Sequence, residues 1–313
     1  VGIHQTAEDE IEGDPEKQYG THLVNNTSPI WFRKPEELTE NDYREWYHRL
    51  FDDILDPVSW VNLYNDELGV KGILYFRHMD ENAASIDGTV RLYSNQVYID
   101  TNVKEVIPYF LILQNGIIDI RDLPLNVSRS SLKDDGYTAA IRVYLAETIG
   151  EKIKEIFLGE RDRYNGMWRE INPFVKLGMI QERKFKSQIK ECVIYETTNG
   201  EYVTLDEYLA GAAEKYENQI FYATDEIQQA QYINLFKKCG IEVLKLTHVI
   251  DQPFIKMIET ENREVRFNRI DSDVMQYLTE PSEEGDGGEP SAEQAGATEK
   301  LNRLFEGITA PNA

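Results

Sequence analysis

Between Gln219 and Leu246 the chain changes its hydrophobic period twice. Gln219-Ile220-Phe221-Tyr222-Ala223 is a short apolar run of strand type. Ile227 to Cys239 repeats its apolar residues at helical spacing up to Gly240. Ile241 to Leu246 is a second short strand. Connections this brief between strand, helix and strand require a parallel crossover. Thr204-Leu205-Asp206 opens a further helix ahead of it. This stretch therefore belongs to an α/β unit.

An earlier stretch reads the same way at larger scale. Thr39 is placed to cap a helix whose apolar positions Tyr43, Trp46, Tyr47, Leu50 and Phe51 recur at helical spacing. Val70 to Arg77 reads as a strand, and Thr89 to Ile99 as a hairpin turning near Ser94-Asn95. Pro108 to Ile118 is a mostly apolar run. Ser130 to Leu158 is a long amphipathic helix, with Ala139, Ile141, Val143, Ala146, Ile149, Ile153 and Ile156 near one face and Gly159 at its end. Arg161 to Lys190 reads as short, charged helical segments. Residues 1–21 are polar and acidic, a flexible arm. Ser282 to Gly296 is a Gly/Glu/Ser/Ala linker, and Leu301 to Phe305 resembles the start of another helix.

The charge is strongly acidic, −23 over 313 residues. General phosphate-backbone binding needs a basic surface, so nucleic acid is disfavoured as a partner. Two cysteines, Cys192 and Cys239, make no disulfide framework and suit a reducing cytoplasm. No apolar run reaches membrane length. The five histidines are scattered and the cysteines lack ligand spacing, so no metal site is expected. The chain begins at Val1, which suggests a piece of a longer protein.

One octapeptide stands apart. Asp122-Leu123-Pro124-Leu125-Asn126-Val127-Ser128-Arg129 carries an arginine at the end of an apolar, proline-fixed segment. A guanidinium is a rigid fork suited to phosphate oxygens. The sequence contains no phosphate-binding loop, so the phosphate would belong elsewhere. The plainer alternative is a surface ion pair of Arg129 with Asp119 or Asp122, which contributes little. Asn126 and Ser128 suit local backbone hydrogen bonds, and Leu123 and Leu125 suit core anchors that aim Arg129.

These residues carry a resemblance. Gly116 to Asp119 followed by Asp122 to Arg129 resembles the signature loop of the middle segment of heat shock protein 90 chaperones. Pro29-Ile30-Trp31 with Arg33-Lys34-Pro35, Leu92-Tyr93 through Val97-Tyr98-Ile99, Ile107-Pro108, Val175-Lys176-Leu177-Gly178, Thr204 through Tyr208, Ile220 through Thr224 and Val249 through Gln252 keep the family's order. The likeness covers roughly residues 23 to 260 and lies nearest the bacterial HtpG-type branch, because the long eukaryotic charged linker is not seen here.

The resemblance implies a larger α/β/α sandwich (22–158), a short helical coil (159–190) and a smaller α/β/α unit (191–265). Residues 266–313 would be an acidic linker and the start of a C-terminal dimerisation domain. It implies that Arg129 reaches the γ-phosphate of ATP, held with Mg by an N-terminal ATPase domain. Lys133 stands where the family usually has glutamine near the nucleotide, and Ser130 and Ser131 also depart from the pattern. Trp31 is implied as part of an apolar patch that meets client proteins, and Tyr98 as aromatic packing near the loop. Trp168, beside Met167 in a charged segment, is a second client-contact candidate. Each of these aromatics is otherwise a core residue. The resemblance implies a homodimer for the full-length protein. The competing reading is a stand-alone α/β protein- or RNA-binding module; a third, a small-molecule enzyme, lacks any constellation of acid, base and nucleophile.

Overall fold

A computed structural model describes residues 4–6, 21–23, 29–78, 87–123, 136–212 and 216–272. Strands β1 (His4–Thr6) and β2 (Thr21–Leu23) form a short antiparallel ladder, where the sequence suggested only a flexible arm. Helix α1 spans Glu40–Leu50, followed by β3 (Ser59–Asn65), β4 (Val70–Phe76), β5 (Val90–Ser94), β6 (Val97–Thr101) and β7 (Asn115–Ile120). Helices α2 (Gly136–Gly159), α3 (Arg161–Gln181) and α4 (Arg183–Ile189) complete a first unit that runs to Val193.

The five strands make one mixed sheet in the order β3-β4-β7-β5-β6. Only β5 and β7 run parallel. Strand β7 has every residue buried, as a central strand covered on both faces must. Side-chain alternation then divides the two layers. Ile73, Tyr75 and Ile117 face α1, where Ile30, Tyr43, Tyr47 and Phe51 pack on them. On the opposite face Phe76 stacks on Phe174 of α3 at 5.4 Å between ring centres. The result is the α/β/α sandwich that the resemblance implied. Close strand pairing depends on Gly72, where a Cβ would lie 2.2 Å from the Ile117 carbonyl oxygen.

Local chemistry starts and holds the helices. Thr39 caps α1 through a reciprocal box: its hydroxyl accepts from the Asp42 N–H, and the Asp42 carboxylate accepts from the Thr39 N–H. Helix α3 is a single 21-residue helix with Pro173 inside it, not the series of short segments its charges suggested. Proline removes one backbone donor and crowds the carbonyl four residues earlier, that of Arg169. The buried Asn172 side chain supplies the missing bond, donating to the Arg169 carbonyl at 3.1 Å and to that of Trp168 at 3.2 Å. Gly178 lets α3 close on its neighbours: a Cβ there would lie 2.7 Å from Phe185 and 2.8 Å from Phe110. The stretch expected as a helical connector thus packs into the first unit.

The second unit begins at Ile194. It holds β8 (Ile194–Glu196), β9 (Tyr202–Thr204), α5 (Leu205–Gly211), β10 (Gln219–Ala223), α6 (Ala230–Lys238), β11 (Leu244–Lys245), α7 (Asp251–Glu261) and β12 (Arg266–Arg269). β10 is central and parallel to both β11 and β12, as the crossover pattern required. Phe221, Ala223, Phe236, Ile241, Val243 and Ile270 form its core. The Tyr208 hydroxyl accepts from the Phe221 N–H at 3.1 Å and donates to the Glu242 carbonyl at 2.7 Å. Thr204 caps α5 with the same reciprocal box, here with Glu207.

Asn172→Ala should lower stability by about 0.5–1.5 kcal/mol, because it removes the side-chain hydrogen bonds that bridge the proline site. The loss should shrink in a Pro173→Ala background, where the backbone N–H returns; denaturant midpoints of the four variants measure it.

Candidate functional site

The signature octapeptide leaves the end of β7, and that exit is held from two sides. On one side lies the turn between β3 and β4. Arg121 donates its backbone N–H to the Gly69 carbonyl at 2.9 Å and its guanidinium to the Asp66 carbonyl at 2.8 Å. Gly69 has φ of +60°, and a Cβ there would lie 2.8 Å from that of Arg121, so the position needs glycine twice over. The Tyr137 hydroxyl, in the first turn of α2, lies 2.9 Å from the Leu68 carbonyl and 3.1 Å from that of Arg121.

On the other side lies the tip of the β5–β6 hairpin. Asn95 and Gln96 both have positive φ, +50° and +65°, the pattern of a tight two-residue turn. The turn thus falls one residue later than Ser94-Asn95. The Gln96 N–H donates to the Asp119 carboxylate at 3.0 Å, and the Asn95 amide to that of Asp122 at 3.4 Å. Asp122 itself sits at φ +57°, a conformation aspartate tolerates, and Leu123 after it is buried. Leu125, Asn126, Ser128, Arg129 and Lys133 lie outside the described residues.

Asp119 is 3% exposed on β7. Burial raises its pKa above the ordinary carboxylate value, against the lowering effect of hydrogen bonds from Trp31 and from the hairpin tip. The Trp31 indole N–H points at it from 3.5 Å. Trp31 is half-buried, edge-on to Trp46 at 6.1 Å and 5.6 Å from Tyr93. Tyr93 in turn meets the half-exposed Tyr98 at 5.7 Å. Trp31 and Tyr98 therefore share one aromatic row beside the β7 exit. Phe32 adds an exposed ring under Lys71, whose ammonium lies 4.9 Å from its centre.

Trp168 sits elsewhere. It is 3% exposed and packs on Tyr164 at 5.7 Å, so it has no face to offer a client. Its charged neighbours suggested a surface. The helical spacing with Tyr164, Ile171 and Val175 was the signal that it belongs to the core. Tyr137, Arg121 and Gln96 were not singled out by the sequence, because hydroxyl, guanidinium and backbone contacts to turn carbonyls leave no periodic trace. Among the described residues, no cluster of His, Cys, Asp or Glu could hold a metal ion, and no helix is long and apolar enough to cross a membrane. Cys192 is buried, with its thiol pushed up to about 11 by burial.

The family model described as "Hsp90 protein" matches residues 4–308. The chain belongs to the heat shock protein 90 family. The chaperone protein HtpG of Bacteroides fragilis is 32% identical over 263 residues, covering 82% of this chain and 39% of its own length. That of Porphyromonas gingivalis is 30% identical over 289 residues, covering 90% and 42%. The mitochondrial heat shock protein 90-6 of Arabidopsis thaliana is 29% identical over 257 residues, covering 78% and 32%. The chain thus spans about two fifths of the length of the bacterial relatives. A solved structure described as the middle domain of a Plasmodium falciparum heat shock protein shares the fold, with a TM-score of 0.58 at 20% identity; the match covers 78% of this chain and all of that one. The chain is an HtpG-type Hsp90 middle segment.

A raised pKa in the folded state means that protonated Asp119 favours folding. That contribution is fully present below the ordinary value of 3.8 and is lost as pH rises through the folded pKa. The Trp31 indole N–H resonance should accordingly shift during an acid titration with a midpoint above 3.8. Asp119→Asn should abolish the shift; an unchanged titration in that variant would rule out the pairing.

Proposed function

We propose that this segment works within an ATP-dependent chaperone, docking on an N-terminal ATPase domain and lending it Arg129. ATP, with its Mg, is the substrate held by that other domain. Arg129 offsets negative charge as it develops on the transferred phosphoryl group, the role of an arginine finger. Lys133 follows one helical turn later in sequence and serves as a second, weaker cation toward the same phosphates.

The observation that supports this reading is the clamped exit of β7. A strand buried on both faces and gripped by two turns delivers the octapeptide from a fixed point. Preorganised charge is what transition-state stabilisation requires, since a misplacement of about 1 Å can cost on the order of 10²-fold in rate. Leu123 anchors the start of that octapeptide, and Leu125, Asn126 and Ser128 support it.

The aromatic row of Trp31 and Tyr98, with the exposed Phe32, is the surface offered to client proteins. A mixed aromatic face with a polar rim suits transient contact with unfolded chains. A C-terminal dimerisation domain completes the cytoplasmic homodimer. The acidic surface favours solubility and gives nucleic acid no footing.

Arg129→Ala in the full-length protein should reduce ATP turnover by on the order of 10³-fold or more, the scale of arginine fingers, with ATP affinity nearly unchanged. Steady-state hydrolysis and nucleotide titration measure the two separately. Wild-type turnover in the variant would remove Arg129 from the mechanism.

A further inference from the structure

We infer that the aromatic face beside the β7 exit selects acidic segments of its protein partners, with Lys71 receiving a carboxylate that stands among apolar side chains. The inference rests on the reading of that face as the client surface and names the chemistry it prefers.

Sheet register builds the site. Lys71 on β4 lies directly opposite Tyr64 of β3 on one side and Asp119 of β7 on the other. Residues paired in this way share one face of a sheet. The Lys71 ammonium rises there between two rings, 4.9 Å from the centre of Phe32 and 5.6 Å from that of Tyr64. Phe32 is 37% exposed and Tyr64 62%. A ring face holds a cation without cancelling its charge. Among the described residues Lys71 makes no ion pair.

The carboxylates beside this platform are already engaged. Asp66 accepts from the Tyr64 hydroxyl at 2.5 Å. Asp119 is buried and accepts from the Gln96 N–H and the Trp31 indole. Further cations line the same face. Arg33 and Lys34 follow Phe32, are exposed, and make no ion pair with a described residue. Arg49 lies over the Trp46 ring at 5.5 Å, next to Trp31 in the row. A chain of net charge −23 should by bulk attraction draw basic partners. At this face the local chemistry is the reverse: rings that bury apolar groups stand beside cations that lack a carboxylate.

The test takes the full-length protein and two fluorescein-labelled peptides, read by fluorescence anisotropy. One sets phenylalanines among glutamates; the other replaces the glutamates with lysines. The wild type should bind the glutamate peptide more tightly, and added salt should weaken that binding. Lys71→Gln should lower affinity for the glutamate peptide about threefold, the scale of an exposed ion pair, without weakening the lysine peptide. Lys71→Arg should retain the preference. Phe32→Ala should weaken both peptides. Tighter binding of the lysine peptide by the wild type overturns the inference, as does an unchanged preference in Lys71→Gln. If Phe32→Ala still weakens both peptides, either result leaves the client surface standing. Wild-type binding of both peptides by Phe32→Ala removes that surface, and the inference with it.

Discussion

Strand β7 is buried along its whole length and paired on both sides, antiparallel to β4 and parallel to β5. That constraint organises the first unit. A strand with no free edge and no free face cannot shift register without moving every side chain to the wrong layer. Its last residues therefore emerge at one place, between the β3–β4 turn and the β5–β6 hairpin tip. Gly72 and Gly116 keep the ladder close where larger residues would collide with Ile117 and Leu74. The site is placed by sheet register first and refined by turn contacts second.

The same strand links the loop exit to the aromatic surface. Asp119 accepts hydrogen bonds from the hairpin tip and from Trp31 while its neighbours in sequence fill the sheet. Burial disfavours its charge, and hydrogen bonds oppose that effect. Trp31, Trp46, Tyr93 and Tyr98 then form a continuous row of rings at 5.6–6.1 Å spacings, partly open to solvent. In this way one buried carboxylate joins the aromatic row to the exit of β7.

Much of the fold was legible where one periodicity dominated. The cap at Thr39, strand Val70–Phe76 and the parallel crossover through β10 and β11 follow directly from spacing and turn chemistry. The long helix is described from Gly136, with Ile141, Ala146, Ile149, Ile153 and Ile156 inward, but Ala139 is exposed and Val143 only half-buried. Strand β3 escaped notice although Val61 and Leu63 alternate inward, because Asn62 and Asn65 gave it the look of a loop. The charges of Arg161–Gln181 hid the continuity of α3, and the Asn172 side chain supports the helix across Pro173. The second crossover strand contracts to Leu244–Lys245, since Ile241 and Val243 turn into the core before the ladder forms. At the candidate site, the sequence singled out the octapeptide by its proline and arginine. The contacts of the Tyr137 hydroxyl were not legible, because they depend on carbonyls brought from 16 and 69 residues away.

The central claim is that this segment supplies hydrolytic charge to a nucleotide held by another domain. The most direct measurement is ATP turnover by the isolated N-terminal ATPase domain of the same protein, with and without this segment added in trans. The account predicts that turnover rises with added segment and that an Arg129→Ala segment gives no rise. Equal stimulation by both segments, or none by the wild type at concentrations where the two demonstrably bind, would contradict it.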